Sequence, residues 1–271
     1  MTNEVIFSRQ NRLVKLVCSL ERKKAREENG LFRFDGIKLC LEALAKGIEP
    51  EYIFVSQSRE NEIVEKLGGR DVVVVSDEVF SKMSEEKSPE GIITVARMLG
   101  GLHKRAHLGD DGEFDVFVGK SEKVFLLEAI RDPGNLGTII RTAASLGIER
   151  IVMTSDCADI YNPKTIRAAM GALFMLRTDV IEEGKTEEYI AALKSSGRRV
   201  LATALRENAV SVKALKVSPS DIFVIGNEGH GLCENTINAC DNSVIIPMRE
   251  GCESLNAAMA AGILMWEISR A

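Results

Sequence analysis

Residues 132–144 read DPGNLGTIIRTAA. They follow KVFLLEAI, an apolar run of strand length, and their own apolar positions then recur at helical spacing. A strand, a tight turn bearing Gly134, Asn135 and Gly137, and a helix bearing Arg141 together make the start of a β-α unit. The two glycines are spaced GxxG rather than GxGxxG, and no Gly-Lys-Ser/Thr follows them. Neither a dinucleotide fingerprint nor a phosphate-cradling P-loop matches that spacing.

Working outward, the same alternation continues to the end of the chain. After the helix at about Asn135–Leu146 come the strand RIVMT and the helix PKTIRAAMG, with Pro163 suited to its first turn. FMLRTDVI, the helix TEEYIAALKSSG, the strands RVLATAL, DIFVIGNE and NSVIIPM, and the helix SLNAAMAAGILMWEISR complete it. Near-continuous apolar strands separated by helices predict a mostly parallel sheet covered on both faces. Upstream, the runs LFRF, YIFVS, DVVVVS and GIITVAR alternate with helix-period segments and predict a smaller α/β domain ending near Arg97. Leu13, Leu16, Val17 and Leu20 predict one amphipathic helix over 9–29, stopped by Gly30. Met98–Glu122 is rich in glycine and charge and reads as a linker, to which EFDVFVG could add an edge strand. The expected α/β organisation is therefore a small domain over 1–98, a linker over 99–121 and a larger domain over 122–271.

At 271 residues, 45% hydrophobic and 28% charged, the chain has enough apolar material for two cores. The opening MTNEVIFSRQNRL lacks the apolar run of a signal peptide, and NAAMAAGILMW is too short to span a bilayer. A cytoplasmic or organelle-matrix protein is expected. Six cysteines contain no CxxC pair and only three histidines are present, which supports neither a disulfide framework nor a zinc site. The net charge of −5 hides a local asymmetry: Arg9, Arg12, Lys15, Arg22, Lys23, Lys24 and Arg26 accompany a single acid, Glu21. A solvated helix face is the ordinary reading of such a cluster; contact with a phosphate backbone is the sharper one. HKRAH at 103–107 carries the same two readings.

In open α/β sheets ligands bind beyond the carboxyl ends of the strands. Three loops there are unusual: RDPGNLGTIIRTAASLG at 131–147, IGNEGHGL at 225–232 and IPMREGCESLNAAMAAG at 246–262. Tight turns and helix caps would account for any one of them. Three in one domain point to a site. Glu228, set among Gly226, Gly229 and Gly231, would repel a phosphate and suits a neutral or cationic ligand.

NLGTIIRTAASLG, VIGNEGHGL and IPMREGCESLNAAMAAGI resemble, in order and spacing, the three motifs of the SpoU (TrmH-like) RNA 2'-O-ribose methyltransferases. DIYNPKTIRAAMGALF at 159–174 resembles the segment between the first and second motifs. SRQNRLVKLVCSL, FRFDGIKLCLEAL and SPEGIITVAR are similar to the family's N-terminal, L30e-like substrate-binding domain. The resemblance implies a SPOUT-type domain ending in a deep trefoil knot, with S-adenosylmethionine bound in it, no metal, and a homodimer formed through helices of the knotted domain. It places Gly226, Ile246 and Leu255 around the cofactor, with Met248 nearby, and Arg141 at the reacting ribose. Asn135, Glu228, Ser254 and Asn256 match the remaining polar motif positions, which would orient Arg141, the loops and the methionine end of the cofactor. A dimer would also give Met259, Leu264, Met265 and Trp266 of the last helix a partner; plain core packing is the alternative for part of that stripe.

The implied activity is S-adenosylmethionine-dependent 2'-O-methylation of structured RNA, with ribosomal RNA favoured over transfer RNA and Arg9, Arg12, Arg22, Lys23 and Lys24 contributing to RNA binding. A noncatalytic RNA-binding or ribosome-assembly protein of the same fold is the second reading, opposed by the intact motif residues. A nicotinamide oxidoreductase fits the α/β pattern but lacks GxGxxG. Two departures stand out: Ala169 where the family often has serine, placed by analogy near the RNA side of the site, and Asp35 where it commonly has glutamate.

Overall fold

The structure, a computed structural model, describes residues 4–106, 114, 119, 121–227, 229–249, 251 and 254–271. Contacts divide the chain into two compact units, Met1–Leu99 with Tyr161–Phe174, and Gly100–Ile160 with Met175–Ala271.

In the first unit the helix expected over 9–29 is two helices, α1 (Arg12–Ser19) and α2 (Lys23–Asn29). Asn11 caps α1 by accepting from the Leu13 amide, and Gly30 ends α2 in the left-handed region at φ 64°. Between them Arg22 is extended, with ψ 132°, which interrupts the helical ladder. Arg26 compensates: its guanidinium, 2% exposed, donates from Nη1 to the carbonyls of Leu20 and Glu21, each at 2.7 Å. One member of the basic cluster is thus an internal cap rather than a surface charge.

The unit continues through β1 (Leu31–Asp35), α3 (Ile37–Ala45), β2 (Pro50–Ser56), α4 (Glu60–Lys66), β3 (Val73–Val75), α5 (Asp77–Met83) and β4 (Ile92–Arg97). The sheet order is β1-β4-β2-β3, with β4 antiparallel to both neighbours and β3 parallel to β2. Val14, Val17 and Leu20 pack with Val79, Phe80 and Met83 over Phe54, Ile93 and Val95, so the apolar spacing of α1 buries it on the sheet.

Residues 161–174, which the sequence places inside the larger domain, pack in this first unit. The Tyr161 ring lies 4.8 Å from that of Phe32, and Phe174 lies 5.4 Å from Phe34. Ala169, in the same stretch, is fully buried, so the methyl that stands where the family often has a serine hydroxyl faces packed protein rather than solvent.

Pro163–Ala169 forms α7, the last α-helix of the first unit. The second unit comprises β5 (His103–Arg105), β6 (Val124–Leu127), α6 (Pro133–Ser145), β7 (Arg150–Thr154), β8 (Arg177–Ile181), α8 (Thr186–Ser195), β9 (Val200–Thr203), β10 (Val210–Ser211), β11 (Ile222–Ile225), α9 (Glu234–Ala239), β12 (Asn242–Ile245) and α10 (Ala257–Ser269). Every strand pairing in its sheet is parallel, in the order β10-β12-β9-β11-β6-β7-β8-β5. The segment read as a linker therefore contributes an edge strand, β5. Of the EFDVFVG run only Phe114 and Gly119 are described, and Phe114 is buried edge-on to Tyr189 at 5.2 Å. His107 lies outside the described residues.

The strand period of two sends alternate side chains to opposite faces. Val124 and Leu126 of β6 join Tyr189, Ile190 and Leu193 of α8 in one core, while Phe125 meets Phe223 across β6 and β11. All four β6 residues are fully buried, as a two-sided parallel sheet requires. The stripe on α10 is divided: Leu264 and Met265 are fully buried, whereas Met259 and Trp266 are 62% and 56% exposed. Among the described residues, no helix is long and apolar enough to cross a membrane.

Arg26→Ala is expected to destabilise the first unit by about 2–3 kcal/mol, because two carbonyls lose a charged donor inside the protein. Denaturant unfolding followed by circular dichroism measures it, with the exposed Lys24→Ala, expected to move stability by less than about 0.5 kcal/mol, as the control.

Candidate active site

A cavity of about 460 Å³ opens at the carboxyl ends of β9, β11 and β12. Gly226, from the loop after β11, and Ile246, Met248, Ser254 and Leu255, from the loop after β12, are among its lining residues. Its size lies in the range of small-molecule sites, and apolar residues such as Ile225, Leu232 and Val244 dominate its walls.

The loop after β11 is held by its own backbone. Asn227 and Gly231 exchange two main-chain hydrogen bonds, at 3.1 and 2.8 Å. That closure brings Gly226 against the opposite strand of the loop, where a Cβ would lie 2.4 Å from the Gly231 carbonyl and 2.5 Å from the Leu232 amide nitrogen. Only glycine fits. The Asn227 side chain locks the loop further: Oδ1 accepts from the amides of Gly229 (2.8 Å) and His230 (3.2 Å), while Nδ2 donates to the Ala129 carbonyl at 2.9 Å. Ala129 itself holds a positive φ of 56°, with its amide donating to the Thr154 hydroxyl at 2.9 Å. Buried Glu128 secures the far end of the loop, accepting from the Cys233 amide at 2.9 Å and from the Thr236 hydroxyl. A second cavity of about 350 Å³, bordered by Glu128, Asp156, Glu183 and Glu187, lies on the other side of this loop and shares His230 and Leu232 with the first.

The turn quoted at the outset is a helix start. Asp132 caps α6 by accepting from the Asn135 amide at 2.7 Å, and Pro133 occupies the first helical position. Leu136, Gly137, Ile139, Ile140 and Ala143 bury one face of α6, leaving Arg141 exposed on the other. Asn256 performs the equivalent task for α10, its Oδ1 accepting from the amides of Ala258 and Met259. Its Nδ2 donates to Asn135 Oδ1 at 2.9 Å, which joins the starts of the two helices. Asn135, Asn256 and Arg141 do not line the cavity themselves; Asn256 follows directly on Ser254 and Leu255, which do. Arg141 forms no ion pair among the described residues, and Glu228 lies outside them.

Cysteine chemistry near the site is muted by burial. Desolvation pushes the Cys157 thiol, which accepts from the Ile130 amide at 3.3 Å, up to about 11, and likewise Cys240 to about 12. Cys233 is exposed.

Of the RNA-contact candidates, Arg12, Arg22 and Lys23 are exposed, Arg9 pairs with Glu78 at 3.0 Å, and Lys24 lies 3.8 Å from Glu28.

The SpoU rRNA methylase family model matches residues 122–266, more than half of the chain. The chain belongs to the SpoU rRNA methylase family. Residues 11–94 match the MRM3-like substrate binding domain. Its relatives include the 23S rRNA (guanosine(2553)-2'-O)-methyltransferase RlmP of Bacillus subtilis, 31% identical over 97% of this chain and 98% of that protein. The 23S rRNA (uridine(2479)-2'-O)-methyltransferase of Streptomyces viridochromogenes is 26% identical over 98% of this chain and 91% of its own. A solved structure of an AdoMet-bound rRNA methyltransferase from Sinorhizobium meliloti superposes with a TM-score of 0.81 at 27% identity, covering 98% of this chain and 97% of that one. The α/β fold with a parallel sheet and a small N-terminal domain is thus the fold of this SpoU family member.

Sequence reasoning missed the wall after β9, Thr203–Arg206, and Glu234 at the start of α9. Neither carries a glycine pattern; only the rule that loops after parallel strands line sites would have pointed to them.

Gly226→Ala is expected to reduce cofactor affinity at least about tenfold, since its Cβ forces the loop open by an ångström or more. Isothermal titration with S-adenosylhomocysteine measures it. At pH 8 a maleimide should label Cys233 well before Cys157 or Cys240, because burial raises those two thiols and leaves them almost wholly protonated. Peptide mass spectrometry over a time course checks the order.

Proposed function

We propose that this SpoU family member is an S-adenosylmethionine-dependent RNA (ribose-2'-O)-methyltransferase acting on ribosomal RNA. The observation that carries the reading is the convergence of Gly226, Ile246, Met248, Ser254 and Leu255 on one cavity, with Asn256 tying its rim to Asn135 at the head of the helix that bears Arg141. When bound, the cofactor supplies a methyl group on a positively charged sulfur. Gly226, Ile246, Met248 and Leu255 would hold it, the glycine because bare backbone allows close approach, the others as apolar walls.

The ribose hydroxyl must lose a proton as its oxygen takes the methyl group, so the site has to position that oxygen and stabilise charge building on it. Arg141 is suited to the second task. Its guanidinium stays protonated in proteins and cannot act as a literal base. It is exposed and without an ion pair among the described residues, which supports the reading that it would clamp the neighbouring phosphate and donate to the developing oxyanion. Asn135 and Asn256 fix the α6 and α10 starts against each other, and Ser254 presents a hydroxyl at the cavity rim. Glu228, from the same motif set, completes the proposed catalytic group.

The N-terminal part, 1–98, is proposed as the RNA substrate-binding domain, joined through 99–121 to the catalytic domain at 122–271. Arg9, Arg12, Arg22, Lys23 and Lys24 would meet the phosphate backbone; the exposure of Arg12, Arg22 and Lys23 supports this. A homodimer through the catalytic domain is supported by Met259 and Trp266, two turns apart and exposed on α10. A trefoil knot is supported by the position of β12, which lies between β9 and β10 although the chain has already joined those two strands directly. The place of action follows the substrate, the cytoplasm in a bacterium.

Arg141→Ala should lower methyl transfer at least about a thousandfold, the scale of a lost oxyanion donor, while S-adenosylhomocysteine affinity stays within about threefold. The assay is transfer of labelled methyl from S-adenosylmethionine to ribosomal RNA lacking the modification, followed by nucleoside analysis. Retained formation of 2'-O-methylnucleoside in the variant would remove the role given to Arg141.

A further inference from the structure

Most of the cofactor cavity is neutral. Among its described lining residues the formally charged side chains are Arg206, from the segment after β9, and Glu234, from the first turn of α9. They come from different walls and pair with each other, Arg206 Nη2 with Glu234 Oε2. The pair is solvent-facing, with side-chain exposures of 35% and 71%. An ion pair in that setting contributes little to stability, and its members are easily re-partnered.

A cofactor of this chemistry has two unlike ends. Adenosine and the sulfur substituents are neutral or diffuse and suit apolar walls and backbone amides. The amino-acid end carries a carboxylate and an ammonium on one carbon, and a zwitterion is complementary to a resident pair of opposite charges. A guanidinium fork donates two parallel hydrogen bonds to a carboxylate, a geometry that an ammonium group cannot match.

We propose that Arg206 is the anchor for the cofactor's α-carboxylate and that Glu234, which pairs with Arg206, takes the α-ammonium when the cofactor enters. This rests on the reading that the cofactor occupies this cavity. It assigns the charged groups of the methionine end to the β9–α9 side of the cavity, in place of the motif residues Asn135, Glu228, Ser254 and Asn256 to which the resemblance gave that end. It also explains why two charges stand in an otherwise neutral lining.

Two ligands separate the ends of the molecule. S-adenosylhomocysteine carries the amino-acid group; 5'-methylthioadenosine keeps the adenosine and the sulfur and lacks that group. Isothermal titration of the full chain with each, for wild type, Arg206→Ala and Arg206→Lys, tests the assignment. Arg206→Ala should weaken S-adenosylhomocysteine about tenfold or more, as loss of a charge-assisted contact predicts, and leave 5'-methylthioadenosine within about twofold. Arg206→Lys, which keeps the charge without the fork, should recover part of the loss. Unchanged S-adenosylhomocysteine affinity in Arg206→Ala, or an equal loss for both ligands, overturns the assignment while leaving the cavity as the cofactor site. Failure of both ligands to bind the wild-type chain overturns the cavity reading and this proposal with it.

Discussion

The site depends on the missing side chain at Gly226. The loop from Gly226 to Leu232 folds back so tightly that a single added carbon would meet the Gly231 carbonyl at 2.4 Å. The closure is stiff because Asn227 satisfies three main-chain groups with one amide and because Ala129 accepts an unfavourable backbone conformation to receive it. Cavities lie on both sides of the loop, so its position sets the shape of each. Buried Glu128 carries the same constraint to α9, where Glu234 contributes a charged side chain to the cavity wall.

A second constraint is the use of asparagine and aspartate caps to place chemistry. A residue that caps a helix has its own backbone and side chain fixed by hydrogen bonds to the first turn. Asp132 and Asn256 are such residues, and Asn256 spends its spare amide protons on Asn135. The starts of α6 and α10 are thereby coupled without a charged group between them. That leaves Arg141, two turns along α6, free of an internal ion pair among the described residues. A guanidinium already neutralised by an internal carboxylate would have to give that partner up before meeting a phosphate.

Much of this was legible in the chain itself. The continuous apolar strands announced a two-sided parallel sheet, and every pairing in the larger sheet is parallel. The three glycine- and asparagine-bearing loops carried the family resemblance; residues named from the second and third line one cavity, and Asn135 of the first is joined to Asn256 beside it. What local pattern could not read was where a segment packs. The Tyr161–Phe174 stretch has the periodicity of any βα insert, yet its aromatic ends pack on Phe32 and Phe34 of β1, which moves buried Ala169 away from the role first given to it. Likewise nothing in the spacing of Arg26 separates it from its exposed neighbours; the broken helix above it does, by freeing two carbonyls that need a donor.

The sequence by itself determined the periods: which runs are strands, which are helices, where caps and glycines interrupt them. Those are set by interactions a few residues apart, and such interactions survive in any one-dimensional reading. Tertiary structure alone decided which distant residues meet, placing β12 between β9 and β10 and bringing Arg206 beside Glu234. Strand order depends on how whole faces of the sheet bury against helices, a property of the assembled core that no window of residues contains.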